Sequence, residues 1–218
     1  VDLTLTARGV DALNEVASAL TEEYGVKATT LAADMSDPDD VTAITTTHLD
    51  AYGRLDTVVL NAGMGMIGPL QTFPVNRFEK MFTVNVRSAY VLLQQALPAL
   101  RIAGASTRHG GKVIAVASMT GIVGVPGNSA YGATKAALIS LCDTLNSEES
   151  AGGVTATAVC PGYVATAMTA GLADVVAHSD MLPLEDIASA VVSLTDLSRV
   201  TVVPHLVMAR PGATTWTA

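Results

Sequence analysis

Tyr131 and Lys135 stand four residues apart in the run Tyr131-Gly132-Ala133-Thr134-Lys135. That spacing puts both side chains on one face if the segment is helical. A phenol with a pKa of about 10 is a poor acid or base near neutrality, but a neighbouring ammonium favours the phenolate and draws it toward the working range. Thirteen residues before Tyr131 comes Ser118, whose hydroxyl could polarise a substrate oxygen. Taken singly, a Tyr and a Lys four apart are most often a solvated pair, and a Ser after a strand is most often a turn residue. Together they are far more specific. Hydrolase chemistry fits less well, because Ser118 lacks the flanking glycines of a nucleophile elbow and no histidine stands where it would be ordered as a base. The histidines at 48, 109, 178 and 205 show no paired spacing, so no metal site is implied.

These residues need elements that carry them to one place. Hydrophobic period predicts strands at 3–7, 27–32, 57–60, 112–117, 155–160 and 205–208. Helices are predicted at 11–24, 38–52, about 75–99, 130–149 and 184–194, with Ser36 and Asp37 as candidate caps of the second. The alternation argues for an α/β fold with a largely parallel sheet. Ser118 then ends a buried strand, at the carboxyl edge where open α/β sheets bind ligands. With no repeat or linker in it, the stretch 1–218 reads as one domain.

Composition narrows the function. The chain has 218 residues, a net charge of −8 and no basic run, so a nucleic-acid partner is not expected. Mean hydropathy is +0.42, but no apolar run reaches the roughly 18 residues of a spanning helix, and no membrane partner is expected. Two cysteines, Cys142 and Cys160, are too few for a disulfide framework and suit a reduced, cytoplasmic compartment.

The spacing of Ser118, Tyr131 and Lys135, the Asn61-Ala62-Gly63 turn, Asn85 in Val84-Asn85-Val86, and Pro161-Gly162 followed by Thr166 resemble the short-chain dehydrogenase/reductase family, in the family's order. The resemblance implies a Rossmann-type, doubly wound parallel sheet and hydride transfer between NADP(H) and a small-molecule carbonyl or secondary alcohol. It makes Tyr131 the acid/base and Ser118 the residue that orients the reacting oxygen. Lys135 would lower the tyrosine pKa and bond the nicotinamide ribose, while Asn85 would hold a water linking Lys135 to solvent. Asn61, Ala62 and Gly63 would lie beside the adenine ribose, and Asp34-Met35 would grip the adenine. Pro161, Gly162, Val164 and Thr166 would pass over the nicotinamide. The rival is a non-catalytic dinucleotide-binding or regulatory protein on the same fold, which would not need the proton-transfer set.

The family's first strand and glycine-rich turn have no counterpart, since the glycines at 63, 65 and 68 follow a later strand and do not fit G-x-G-x-x-G. We therefore expect a longer molecule, with that strand central to the sheet; without it, two strands face each other unpaired. Cofactor choice is legible at Ala7-Arg8. An acidic residue at Ala7 would favour NAD, whereas an Arg can bond a 2′-phosphate, so NADP is expected over NAD. The resemblance places the substrate loop at 168–183, and the methionines at 64, 66, 119 and 168 could line an apolar pocket or simply fill core gaps. A carrier-protein-linked 3-oxoacyl group, small ketones, sugars and steroid-like rings all remain open as substrates. Helices 75–99 and 130–149 carry excess apolar residues, among them Tyr90, Leu93, Leu97, Leu138, Leu141 and Leu145, which predicts a homodimer or homotetramer built through them.

Overall fold

Strands and helices alternate through residues 1–172 and 176–213, the part of the chain described by the computed structural model. In order they are β1 (Leu3–Ala7), α1 (Val10–Tyr24), β2 (Ala28–Ala32), α2 (Pro38–Tyr52), β3 (Thr57–Leu60), α3 (Val75–Phe82), α4 (Ser88–Ser106), β4 (Gly111–Val116), α5 (Ser129–Glu149), β5 (Val154–Pro161), α6 (Leu184–Thr195) and β6 (His205–Met208). Every ladder is parallel, so consecutive strands are joined by crossovers that cover the sheet faces. Local chemistry sets the helix ends. At α2, Asp37 rather than Ser36 is the cap and accepts from the Asp39 amide at 2.9 Å, Pro38 fills the first turn, and Gly53 closes the helix at φ 69°.

The expected α/β architecture has its strands divided between two sheets, β1 beside β2 and β3-β4-β5-β6 in that order. β1 and β3 share no ladder, the arrangement anticipated for a doubly wound sheet without its central strand. The two parts are joined through α2 and α4, whose Val41 and Leu92 belong to one apolar cluster.

In the larger sheet the side chains alternate between two packed faces. Val113 and Ala115 of β4 and Ala156 and Ala158 of β5 pack on one side with Leu92 and Leu100 of α4 and Leu138 of α5. Ile114 and Val159 pack on the other with Leu194 of α6. All eight residues of β5 are buried, which holds the carboxyl ends of β4 and β5 in fixed register.

Two expectations are corrected. The helix expected at 75–99 is interrupted by a π-helical turn at Thr83–Arg87 and then runs on to Ser106. Asn85 sits in this wider turn, and such turns often mark functional sites. The predicted outer apolar stripe is mostly core. Leu93, Leu138 and Leu145 are buried and Leu97 and Leu141 are packed against the same cluster, which leaves Tyr90 exposed. The reason is that α4 packs on α2 and α5 as well as on the sheet, so it buries more than one face.

Candidate active site

The site lies where β3, β4 and β5 end. Ser118 lies two residues beyond β4, is buried, and its Oγ accepts two bonds, from the Thr120 amide at 3.2 Å and the Thr120 hydroxyl at 3.0 Å. A serine hydroxyl has two acceptor lone pairs and one proton. With both lone pairs taken by Thr120, the proton is left as a donor to whatever oxygen lies opposite. The turn that carries Ser118 fits against α5 only because of two glycines: a Cβ on Gly121 would come within 2.7 Å of the Lys135 carbonyl carbon, and one on Gly132 within 2.8 Å of the Thr120 oxygen.

Tyr131 lies in the first turn of α5 and Lys135 one turn later. Lys135 Nζ is 5.5 Å from the centre of the Tyr131 ring, so the expected pair does meet. The ammonium is buried and donates to the Val116 carbonyl at the end of β4 at 2.7 Å. Burial pushes its pKa down to about 8. The Tyr131 phenol is raised, with burial the larger cause and its bond with Ser118 acting the other way. Burial therefore outweighs the lowering, and in the free protein the phenol keeps its proton.

Asn85 is buried, and its amide is almost fully spent. Oδ1 accepts from the Met64 amide at 2.8 Å, while Nδ2 donates to the Met64 carbonyl at 2.9 Å and to Thr134 Oγ1 at 3.0 Å. Thr134 in turn donates to the Tyr131 carbonyl at 2.8 Å. The side chain thus ties the loop after β3 to the turn of helix bearing Tyr131. A Cβ on Gly63 would lie 3.5 Å from Asn85 Oδ1 and 3.6 Å from Lys135 Nζ, so Gly63 forms an open cradle over both groups. Lys135 Nζ keeps donor capacity beyond the Val116 bond, and that capacity together with the cradle suits hydroxyl groups of a ribose. Asn61 and Ala62 beside it are exposed.

Pro161 closes β5, and the Gly162 amide donates to the Met208 carbonyl at 2.9 Å. Val164 bridges Leu182. Thr169 bonds the Val164 carbonyl at 2.5 Å and the Thr166 amide at 3.1 Å, which fixes the segment expected over a nicotinamide. Asp34 accepts from the Ser36 amide and hydroxyl at 2.8 and 2.7 Å. These bonds hold its carboxyl below the usual range, with smaller help from Lys80 and Arg8. Met35 packs against the core, and Arg8 is exposed just beyond β1. Thus Ser118, Tyr131, Lys135, Asn85 and Gly63 come together directly, while Arg8, Asp34 and Met35 stand with the smaller sheet. Residues 173–175 of the expected substrate loop lie outside the described residues.

Sequence reasoning missed Thr120, Thr134 and Thr169. Only Thr134 left a trace, since it lies between Tyr131 and Lys135 on nearly the same helical face. Among the described residues no group of His, Cys, Asp and Glu is placed to hold a metal, and no helix is long and apolar enough to cross a membrane.

A parallel α/β fold with a serine, a tyrosine and a lysine gathered at the strand ends defines a class of dinucleotide-dependent proteins. Residues 1–176 match the short chain dehydrogenase family, and the chain belongs to it. It is 33% identical over 162 residues to 2-(R)-hydroxypropyl-CoM dehydrogenase of Xanthobacter autotrophicus, covering 73% of this chain and 63% of that protein. To the 3-oxoacyl-(acyl-carrier-protein) reductase of Staphylococcus aureus it is 31% identical, covering 73% of this chain and 64% of the relative. The chain therefore spans under two thirds of the length of these two relatives. The solved alcohol dehydrogenase of Thermococcus sibiricus, complexed with 5-hydroxy-NADP, superposes with a TM-score of 0.85 at 26% identity, covering 98% of this chain and 87% of that one.

Proposed function

We propose that the protein is an NADP(H)-dependent oxidoreductase that interconverts a carbonyl compound and its secondary alcohol, with residues 1–218 acting as one domain. The observation that carries this reading is that the one proton Ser118 has left to donate is shared with a protonated Tyr131, beside the Lys135 ammonium. In the reducing direction, Ser118 donates to the carbonyl oxygen and polarises it, and Tyr131 delivers its phenolic proton to that oxygen as negative charge develops there. Lys135 stabilises the resulting phenolate, which lies on the same helical face. When bound, the nicotinamide supplies the hydride to the carbonyl carbon, or accepts it in the reverse direction. Asn85 positions the Met64 loop and the Tyr131 turn against each other, and a water held there would reprotonate Tyr131 through Lys135.

Lys135 and Gly63 would hold the nicotinamide ribose, and Pro161, Gly162, Val164 and Thr166 the nicotinamide. Asn61 and Ala62 would flank the adenine ribose, Asp34 and Met35 the adenine, and Arg8 the 2′-phosphate. The Thermococcus sibiricus relative, solved with an NADP derivative, supports NADP over NAD. The free, buried Cys142 and Cys160 fit a cytoplasmic site. Exposed Phe78, Tyr90 and Ile102 on α3 and α4 are what supports assembly into a homo-oligomer.

The test is loss of NADPH absorbance on addition of carbonyl compounds to the full chain, with NADH alongside. Carbonyl-dependent oxidation of NADPH is expected. Tight cofactor binding with no turnover of any carbonyl or alcohol would favour the non-catalytic alternative.

A further inference from the structure

The loops that converge on Tyr131 differ from the rest of this acidic chain in two ways. They hold neither Lys nor Arg: through residues 55–76, 113–134 and 136–198 the one basic side chain is His178. Lys135, the cation beside Tyr131, is buried, bonded to the Val116 carbonyl and proposed above to hold the nicotinamide ribose. They also leave large apolar side chains in solvent, with Met66 at 40%, Ile67 at 49% and Met168 at 56% exposure.

These apolar groups are fixed around the reactive tyrosine. A Cβ on Gly65 would lie 3.4 Å from Tyr131 Cδ2 and 3.7 Å from Met168 Sδ, so Gly65, the phenol ring and the thioether meet at one point. Ile67 packs with its Cγ2 3.0 Å from where a Gly127 Cβ would be. The neighbouring Gly68 amide bonds the Gly127 carbonyl at 2.9 Å, which pins this loop to the one leading into α5.

We infer that the substrate is a neutral, predominantly apolar ketone or the matching secondary alcohol, and that Gly65 and Met168 set its width beside Tyr131. This rests on the oxidoreductase reading above and narrows it. A carboxylate, sulfonate or phosphate brought to this rim would lose water without gaining a Lys or Arg partner. An alkyl or ring substituent would instead cover Met66, Ile67 and Met168, and the flexible methionines would adapt to its shape. The same argument weighs against the anionic phosphopantetheine arm of a carrier-linked substrate. Gly65 is a usable probe because its φ is not positive and a methyl there makes only ordinary contacts. A longer side chain would project into the space beside the ring.

The experiment compares neutral 2-ketones with oxo acids and a 3-oxoacyl-CoA of matched chain length, using the full chain and NADPH. Both kcat/KM and the dissociation constants of the corresponding alcohols, the latter by calorimetry, are measured. Neutral ketones are expected to exceed the anionic compounds by about tenfold or more in kcat/KM, and their alcohols to have dissociation constants about tenfold or more lower. Gly65→Leu should lower kcat/KM for branched ketones more than for short ones. Met168→Arg should shift the anionic-to-neutral ratio by about tenfold toward the anions while leaving NADPH binding unchanged. Anionic substrates that match or exceed neutral ones in the wild type would overturn the inference and leave the oxidoreductase reading standing. A ratio that neither variant moves would overturn the roles of Gly65 and Met168. If no carbonyl of either kind is turned over, the oxidoreductase reading fails and this inference falls with it.

Discussion

The two sheets are built from the same kind of parallel ladder yet are held together differently. Every residue of β5 is buried, and β4 and β5 lie between α4 and α5 on one side and α6 on the other. In β1 and β2 every residue is half-buried or exposed. That smaller sheet relies on hydroxyl bonds: Thr4 to His48 Nδ1 at 2.8 Å, Thr29 to Tyr52 at 2.9 Å, and Tyr52 to the Leu3 carbonyl at 2.9 Å. Apolar burial of a full side chain is worth about 1.5–3 kcal/mol, against about 0.5–1.5 for a typical hydrogen bond. The proposed proton-transfer residues therefore sit on the rigid part, whereas Arg8, Asp34 and Met35, proposed for the adenine and the 2′-phosphate, stand with the softer one.

The largest expected effect tests the rigid part. Tyr131→Phe should lower turnover by about 10²–10⁴-fold while leaving NADPH affinity within a few-fold, because only the phenolic proton is removed. Steady-state rates with a cofactor titration check it, and more than about a tenth of the activity surviving would remove Tyr131 from the proton-transfer role. Next comes stability. Leu100 is fully buried in α4, so Leu100→Ala should cost about 2–5 kcal/mol. Leu5 of β1 is half-buried, and Leu5→Ala should cost about 1 kcal/mol. Urea unfolding of both variants breaks the comparison if the two losses are equal.

Much of the rigid part was legible in the sequence. Ser118, Tyr131 and Lys135 could be placed because helical period and strand ends depend on local spacing. Boundaries of α2, β3 and β6 followed from caps and apolar runs for the same reason. What stayed hidden depends on contacts between distant segments. Nothing in the spacing shows that Thr120 takes both lone pairs of Ser118, or that Asn85 spends its amide on Met64 and Thr134 across the site. The outward stripe failed similarly, since a helical period counts apolar faces without showing that α4 is covered by α2 and α5 as well as by the sheet. Burial also reversed the expected direction of the Tyr131 pKa, an effect of surroundings that pairwise spacing does not contain.

Buried Lys135 gives the rigid part a pH signature. Its folded pKa of about 8 lies below the ordinary lysine value of about 10.4, so between the two the unfolded chain holds a proton that the folded chain has lost. Stability from this group therefore rises with pH through that window, by about 1.36 kcal/mol per unit at most. Cys142 and Cys160, pushed up to about 12 and about 11 by burial, keep protons that the unfolded thiols release, so they oppose the rise above about pH 8.5. The difference between wild type and Lys135→Met isolates the lysine. The variant's stability relative to wild type should fall from pH 8 to about 10.4. A constant difference in unfolding free energy across that range would mean that Lys135 titrates normally.

The smallest expected effect lies on the softer part, at the end of β1. Arg8 is exposed there, and both Arg8 and Lys80 of α3 act on Asp34 at the end of β2, so two cations from different parts of the fold border the proposed adenosine site. If Arg8 bonds the 2′-phosphate, NADPH should bind more tightly than NADH by about tenfold or more, the worth of one charge-assisted bond. Arg8→Ala should then weaken NADPH about tenfold and leave NADH nearly unchanged, while Ala7→Asp should penalise NADPH by repulsion and improve NADH through the ribose hydroxyls. Calorimetric titration of both cofactors against each variant decides it. Equal affinities in the wild type would make Arg8 an ordinary surface cation. An NADPH preference that survives Arg8→Ala but is lost in Lys80→Ala would move the determinant from β1 to α3, an element packed on α5 rather than on the smaller sheet. Cofactor choice would then rest on the same rigid part as the proton transfer, and the division between the two sheets would not be a division of function.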